Sequence, residues 1–231
     1  MKRIAVIGTG HIPEGGDTPP AEIVAIVSSG FDARLVEPEN GVFPGTPAAR
    51  EHEVQAIAQT GEAVAAAGFD GIFINTVGDY GLWPLRKKLS IPVVGAGEAA
   101  FRLAASLGQR FSVVTIWPSS LAFLYEHVLA DSNATELCTS IRYLSEPADL
   151  EHLGDEVNFV TEMRACFAAP LRTIINACRA AVEEDGADVV VLGCTCMAPT
   201  YATVQEELSD LIIVDPMTAG YRYTELLVNL Q

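Results

Sequence analysis

The sequence predicts an α/β protein made of two similar lobes, each a four-stranded parallel sheet flanked by helices. Short β-branched runs recur along the chain, and a helical pattern follows each of them. Several runs are unbroken rather than alternating, which is typical of strands that are covered on both faces of a parallel sheet. Two stretches of the chain also repeat each other, which indicates a tandem duplication. Strands that alternate with helices in this way favour a doubly wound architecture.

The strands are predicted at the apolar runs, and the helices are predicted from start and stop signals between them. The runs lie at residues 4–7, 33–36, 71–74, 91–94, 111–116, 141–144, 189–192 and 211–214. Prolines at the start and glycines just past the end predict helices over residues 19–30 and 47–67, and another that ends at Gly108. A long helix is predicted over residues 155–185, with Pro170 kinking or splitting it.

The internal repeat predicts the domain organisation. The segment Gly68-Phe69-Asp70 leads through an apolar run to Asn75-Thr76, and Gly186-Ala187-Asp188 leads through another to Gly193-Cys194. Chance likeness between βα units is the alternative to duplication. The duplication predicts lobes at residues 1–108 and 109–215, with a C-terminal helix at 216–231 packing back on the first. Thr76 and Cys194 then occupy matching positions and are expected to face each other across a cleft.

Composition excludes several classes of function. The chain has 231 residues with 30 acidic and 14 basic side chains, so its formal net charge is −16. Such a balance disfavours nucleic acids and anionic membranes as partners, because both select basic surfaces. No run approaches the roughly 20 apolar residues of a membrane span, and the N-terminal run is too short for a signal sequence. An odd number of cysteines, five, then predicts reduced thiols in the cytoplasm.

The chemistry is predicted at the carboxyl ends of strands, where open α/β sheets bind ligands. Cys194 follows a strand and Gly193, and it precedes a predicted helix. Backbone N–H groups and the helix dipole at this place favour the thiolate over the thiol. A thiolate can act as a nucleophile or as a proton acceptor. The alternative is a small buried hydrophobic residue, which is what most free cysteines are.

Polar residues at the same strand ends are candidates for substrate binding. They are Thr9, Asn75, Asp79, Ser119, Ser120 and Thr195, together with Tyr125 one turn into the predicted helix that begins at the two serines. Helix capping is the alternative for the two serines, turn capping for the aspartate and plain packing for the tyrosine. No metal is predicted, because Cys194-x-Cys196 lacks a second pair at zinc spacing. No nicotinamide cofactor is predicted, because Pro13 stands where a third fingerprint glycine belongs.

Two segments resemble the signature segments of the Asp/Glu/hydantoin racemase family. They are Asn75-Thr76-Val77-Gly78-Asp79-Tyr80-Gly81-Leu82 and Val191-Leu192-Gly193-Cys194-Thr195-Cys196-Met197. The segments Ile91-Pro92-Val93-Val94-Gly95-Ala96-Gly97-Glu98 and Arg110-Phe111-Ser112-Val113-Val114-Thr115 are similar to the hydantoin and allantoin racemases in particular. The resemblance covers nearly the whole chain, in order.

The resemblance implies cofactor-free proton transfer at a carbon next to a carboxyl or carbonyl group. Family members place one cysteine on each lobe, so that one removes the α-proton and the other returns a proton to the opposite face. N–H groups and hydroxyls stabilise the intermediate enolate. The implied partner is a small carboxylate or hydantoin-like substrate, and homo-oligomers are common among such proteins.

The chain departs from the family pattern at the first catalytic position, where Thr76 replaces cysteine. A threonine hydroxyl is far too weakly acidic to rest as a base at neutral pH. Three readings stay open: a racemase in which Thr76 relays or donates a proton, a single-cysteine lyase like the arylmalonate decarboxylases, and a catalytically inactive binding relative. Cys196 stands where the family usually has glycine, and it lies too near Cys194 to reach the opposite face.

Overall fold

The computed structural model describes residues 1–8, 16–153, 159–166 and 169–231. The chain divides into two compact units, unit 1 with Met1–Ala99 and Met217–Gln231, and unit 2 with Ala100–Pro216. Each unit contains one four-stranded parallel sheet flanked by helices, which confirms the predicted fold class. Thr9, a predicted site residue, lies outside the described residues.

Unit 1 has a sheet of strand order β2-β1-β3-β4. The strands are β1 (Lys2–Ile7), β2 (Phe31–Val36), β3 (Gly71–Ile74) and β4 (Val93–Gly95), and helices α1 (Ala21–Val24), α2 (Pro47–Ala66) and α3 (Leu82–Lys88) connect them. Helix α2 begins as predicted, because the Thr46 hydroxyl accepts a hydrogen bond from the Ala49 N–H at 3.1 Å. Helix α1 is shorter than the predicted 19–30, and the β-branched residues Ile26 and Val27 that follow it disfavour helix.

Unit 2 repeats the same order with the next four strands, as β6-β5-β7-β8. The strands are β5 (Phe111–Pro118), β6 (Cys138–Ser145), β7 (Val189–Leu192) and β8 (Ile212–Val214). Between them lie helices α5 (Ala122–Asp131), α6 (Phe159–Arg164), α7 (Leu171–Glu183) and α8 (Ala198–Glu207). Pro170 immediately precedes α7, so the helix predicted over 155–185 is split there. Strands β3 and β7 hold the same place in their sheets.

Helix α4 (Ala96–Leu107) contains the division between the units. The division falls after Ala99, nine residues before the predicted boundary at 108, because the second half of α4 packs within unit 2. There the ring of Phe101 stacks on Phe111 with centroids 5.3 Å apart. The sequence pattern marks where the helix ends, whereas packing decides to which unit its residues belong.

The last helix, α9 (Pro216–Asn229), groups with unit 1. The Lys2 ammonium donates to the Val228 carbonyl at 2.7 Å, and the Ser28 hydroxyl donates to Glu225 at 2.6 Å. The ring of Tyr221 contacts Phe73 of β3 edge to face. The end of the chain therefore covers the same sheet as its beginning.

Strands β3 and β7 are buried along their whole length. Every residue of β3 and of β7 is buried, as expected for the unbroken apolar runs. Residues just past such strands have a backbone that is anchored on both sides, so their side chains are held in defined positions. Within the described part of the chain, no helix is both long and apolar enough to cross a membrane.

Candidate active site

Cys194 lies two residues beyond the end of β7, at the start of a helix. The Gly193 N–H donates to the Val114 carbonyl at 2.7 Å, which carries the ladder of β5 and β7 one residue past the strand. Cys194 caps a 3₁₀ turn, Thr195–Met197, which leads directly into α8. The Cys196 N–H points at the Cys194 sulfur, 3.2 Å away. This setting would stabilise a thiolate on Cys194 in the reduced protein, by hydrogen bonding and by the helix dipole.

Cys194 and Cys196 are joined by a disulfide, which corrects the expectation that all five cysteines are thiols. The tight turn after β7 brings their Cα atoms to 5.1 Å, a separation that disulfides commonly have. The other three, Cys138, Cys166 and Cys178, are free. Burial raises the pKa of Cys138 and Cys166 to about 11 and that of Cys178 to about 12, so these three are protonated at neutral pH.

A buried chain of hydrogen bonds holds the residue that precedes Cys194. The Tyr125 hydroxyl, on α5, donates to the Gly193 carbonyl at 2.8 Å. Because its only proton is used there, it accepts from the Thr115 hydroxyl, 2.6 Å away. Thr115 in turn accepts from the Trp117 N–H. A Cβ at Gly193 would lie 2.5 Å from Thr115 Cβ, so only glycine allows this approach of β5 and β7.

Tyr125 is tied to the backbone that precedes Cys194. The residue is 3% exposed and its hydroxyl has two partners inside the protein, while its predicted contact with substrate stays a prediction. Burial also raises its pKa, which keeps the hydroxyl protonated. The tyrosine positions the backbone next to Cys194, a role that neither substrate contact nor plain packing describes.

Thr76 lies two residues beyond the end of β3 and so holds in unit 1 the position that Cys194 holds in unit 2. The Asn75 N–H donates to the Ile7 carbonyl at 2.7 Å and continues the ladder of β1 and β3. Thr76 is buried, and among the described residues its hydroxyl has no hydrogen-bond partner. A buried hydroxyl without a partner is uncommon in native proteins. The Thr76 hydroxyl is therefore a buried donor and acceptor that no described group of the protein satisfies.

Asp79 caps a helix rather than facing outward from the Thr76 loop. Its carboxylate accepts from the N–H groups of Gly97 and Glu98, at 2.8 and 2.6 Å, in the first turn of α4. A Cβ at Gly95 would overlap this carboxylate. Burial raises the pKa of Asp79 to about 8, against the opposing effect of the two N–H donors. Both oxygens accept N–H groups of α4, so the residue anchors the loop to that helix, in line with the capping alternative, and its predicted contact with substrate stays a prediction.

The remaining candidates are placed as follows. Ser119 and Ser120 are exposed in the turn that follows β5, and no side chain caps this turn, so capping does not occupy their hydroxyls. Thr195 is buried directly after Cys194. The Asn75 side chain lies beside Gly8, at the end of the neighbouring strand β1. Each unit thus collects its candidates at one edge of its own sheet, as parallel strands require.

Comparison with known proteins decides the family. The family model described as Asp/Glu/Hydantoin racemase matches residues 18–224. The chain belongs to this family. A curated hydantoin racemase from Paenarthrobacter aurescens is 33% identical over 161 residues, which are 70% of this chain and 62% of that protein. The matched part is thus less than two thirds of that relative's length.

Solved structures of similar fold agree with the family assignment. An allantoin racemase from Klebsiella pneumoniae superposes with a TM-score of 0.80 at 25% identity, over 100% of this chain and 89% of that one. A variant of arylmalonate decarboxylase has a TM-score of 0.66 at 14% identity, over 99% and 93% of the two chains. At that identity the second likeness shows the fold alone.

Two polar residues near the ends of apolar runs are not among the predicted site residues. Thr115, within β5, supports Tyr125 through its hydroxyl. Burial raises the pKa of Tyr201, and the charge of Asp215, which is buried directly after β8, raises it further. The available signal was the same in both cases, a single polar residue at the carboxyl end of an apolar run.

Proposed function

We propose that this protein is a cofactor-independent racemase or epimerase that transfers a proton at a carbon next to a carboxyl or carbonyl group. The observation that carries the proposal is the place of Cys194, at the end of a buried strand of a racemase-family fold with a backbone N–H directed at its sulfur. The names of the relatives, hydantoin racemase and allantoin racemase, favour a hydantoin-like ring as the substrate.

In the proposed mechanism the reduced Cys194 thiolate takes the α-proton. The electron pair of the broken C–H bond moves onto the adjacent carbonyl oxygen and forms an enolate. The backbone N–H of Thr195 and the exposed hydroxyls of Ser119 and Ser120 are the candidates for holding the oxygen. They and the other N–H groups of the strand ends are neutral donors, and such donors suit a ring carbonyl as well as a carboxylate.

Inversion requires a second proton carrier, and Thr76 is our candidate. Its hydroxyl cannot abstract a proton at neutral pH, but it can pass one from water to the enolate and recover its own from water. Because two enantiomers have the same free energy, kcat/KM for inversion must be equal in the two directions. Exchange without inversion has no such constraint, and we expect α-deuterium exchange to be faster for the enantiomer whose α-proton faces Cys194.

The test is to incubate single enantiomers of 5-substituted hydantoins and of acidic amino acids with the reduced protein in D₂O. We expect deuterium at the α-carbon, measured by NMR, together with loss of optical rotation, and faster exchange for one enantiomer. The Cys194→Ala variant provides the background rate, because hydantoins exchange slowly without enzyme. Exchange no faster than this background for every compound would contradict the proposal and favour a binding relative.

A second candidate is a lyase that decarboxylates a malonate and protonates the product with Cys194. One observation favours it: of the two equivalent strand ends, only that of β7 carries a cysteine. Loss of CO₂ makes the enolate without a base, so a single proton donor is enough. Release of CO₂ from an aryl malonate, with one product enantiomer in excess and no exchange of hydantoins, would replace the racemase by this candidate.

Replacing Tyr125 with phenylalanine tests its positioning role. The change leaves the Gly193 carbonyl without its buried donor, an effect of about 1–3 kcal/mol. We expect kcat to fall by about tenfold with KM nearly unchanged, because the substrate contacts remain while the cysteine loses its support. Steady-state kinetics on the reduced protein measures both constants.

The matched control is Tyr143→Phe. The Tyr143 ring lies edge to face with that of Tyr125, and its hydroxyl has no hydrogen-bond partner among the described residues. This variant should keep the wild-type kcat. Equal kinetics for the two variants, or a loss in KM alone for Tyr125→Phe, would contradict the positioning role.

A further inference from the structure

We propose that Cys194 and Cys196 form a peroxide-sensitive redox site, in which Cys196 traps oxidised Cys194 as a reversible disulfide. The observation is the disulfide itself, formed by the residue proposed as the acid/base and a neighbour that the reaction does not use. Its effect on catalysis rests on the proposed function, whereas the thiol chemistry does not.

The two residues differ in exposure, and this difference sets their roles. Cys194 is partly exposed, whereas Cys196 is only 7% exposed. An oxidant from solution therefore meets Cys194 first. The Cys196 N–H on its sulfur and the start of the helix favour the thiolate, which is the form that reacts with peroxides. The less exposed Cys196 is then the resolving thiol, which reacts with the oxidised Cys194.

The oxidation proceeds in two balanced steps. The Cys194 thiolate attacks hydrogen peroxide, the O–O bond breaks, and a sulfenic acid and hydroxide form. The Cys196 sulfur then displaces the hydroxyl group of the sulfenic acid and loses its proton, so that the S–S bond forms and water leaves. Two thiols have been oxidised and one peroxide has been reduced. A dithiol such as dithiothreitol reverses the reaction by thiol–disulfide exchange.

The other cysteines are poor competitors for the oxidant. Cys178 is fully buried, and burial raises its pKa to about 12. Burial likewise raises the pKa of Cys138 and Cys166 to about 11. All three are neutral thiols at physiological pH, and neutral thiols react slowly with peroxides. Oxidation should therefore be confined to the pair that follows β7.

In the disulfide form Cys194 has no thiolate to accept a proton. Peroxide should therefore stop turnover, and a reductant should restore it. Cys196 also protects Cys194 from permanent damage, because a sulfenic acid without a resolving thiol is oxidised further to the irreversible sulfinic acid.

The experiment treats the reduced full-length protein with a small excess of hydrogen peroxide, alkylates it with iodoacetamide, and maps its peptides by mass spectrometry. We expect the peptide with both cysteines to be unalkylated and lighter by two hydrogens. Activity on the substrate identified above should fall by about 10²-fold, as for removal of an acid/base group, and return with dithiothreitol. Cys138→Ser is the matched control and should behave as the wild type.

Cys196→Ala and Cys196→Ser should keep the basal rate, and after peroxide they should gain two oxygens on Cys194 that dithiothreitol does not remove. Circular dichroism checks that both variants are folded. The redox site would be overturned if iodoacetamide still alkylates both cysteines of the wild type after peroxide. It would also be overturned if Cys194 of the wild type becomes a sulfinic acid, as in the variants. If the disulfide forms but no compound reacts, the proposed function fails while the redox site stands, because peptide mapping needs no activity.

Discussion

Replacing Cys194 with alanine is expected to remove proton transfer almost entirely, lowering kcat by about 10²–10⁴-fold, the usual contribution of a positioned acid/base. The reason is that the three cysteines outside the pair cannot take over. Burial holds the pKa values of Cys138, Cys166 and Cys178 at about 11 to 12, far from the working range of a base. KM should change little, since the proposed substrate contacts come from backbone N–H groups and hydroxyls. Polarimetry on the reduced protein measures the rate.

Two controls make this expectation sharp. Cys194→Ser keeps the size and the capping geometry of the side chain, but its hydroxyl is too weakly acidic to be a base, so it should be nearly as inactive as alanine. Cys196→Ala keeps the backbone N–H that points at residue 194 and should stay active. A Cys194→Ala protein within a few-fold of wild type would exclude this residue as the acid/base, and activity lost in Cys196→Ala would move the role to its neighbour.

Replacing Thr76 with cysteine is expected to raise kcat/KM for inversion from both enantiomers by about 10²-fold or more, the lower range for gaining an acid/base group. A thiol with a pKa near 8.5 can both accept and donate at neutral pH, whereas the hydroxyl can only relay. Cysteine is no larger than threonine, so it fits the buried site. The measurement is the initial rate from each pure enantiomer, followed by chiral chromatography.

The controls for this gain are Thr76→Ser and Thr76→Val. Serine keeps the hydroxyl and should leave both rates near those of the wild type. Valine keeps the shape without the hydroxyl and should abolish inversion, while deuterium exchange from the Cys194 side continues. A folded Thr76→Cys protein with unchanged rates, or a fully active Thr76→Val protein, would remove Thr76 from the mechanism.

Much of the fold could be predicted because burial on both faces leaves a direct trace in the sequence. Strands β3 and β7 are apolar at every position and are buried at every position. Helix α7 begins directly after Pro170, as expected for a residue that cannot donate a backbone hydrogen bond inside a helix. The end of α4 could be read from Gly108, but its division between the units could not, since that depends on Phe101 meeting Phe111.

The candidate site could be predicted in part, through a family pattern of Cys194 and Thr76 at equivalent strand ends. The partners of its supporting residues could not. In the sequence Tyr125 is an ordinary residue of a predicted helix, and only the packing of α5 brings its hydroxyl to Gly193. In the sequence Asp79 is an acidic residue in a predicted loop, and only the nearby start of α4 makes it a helix cap.

The sequence by itself determined that this is an α/β chain of the Asp/Glu/hydantoin racemase family, with sulfur at one of two equivalent positions. These properties follow from local patterns, because hydrophobic period, helix ends and motif residues are all set by near neighbours along the chain. Only the tertiary structure decided that Cys196 bonds to Cys194, that Tyr125 and Thr115 support the backbone before it, and that Asp79 serves a helix. These contacts join groups that are distant along the chain or held at a defined separation, and only the folded backbone sets the distances between them.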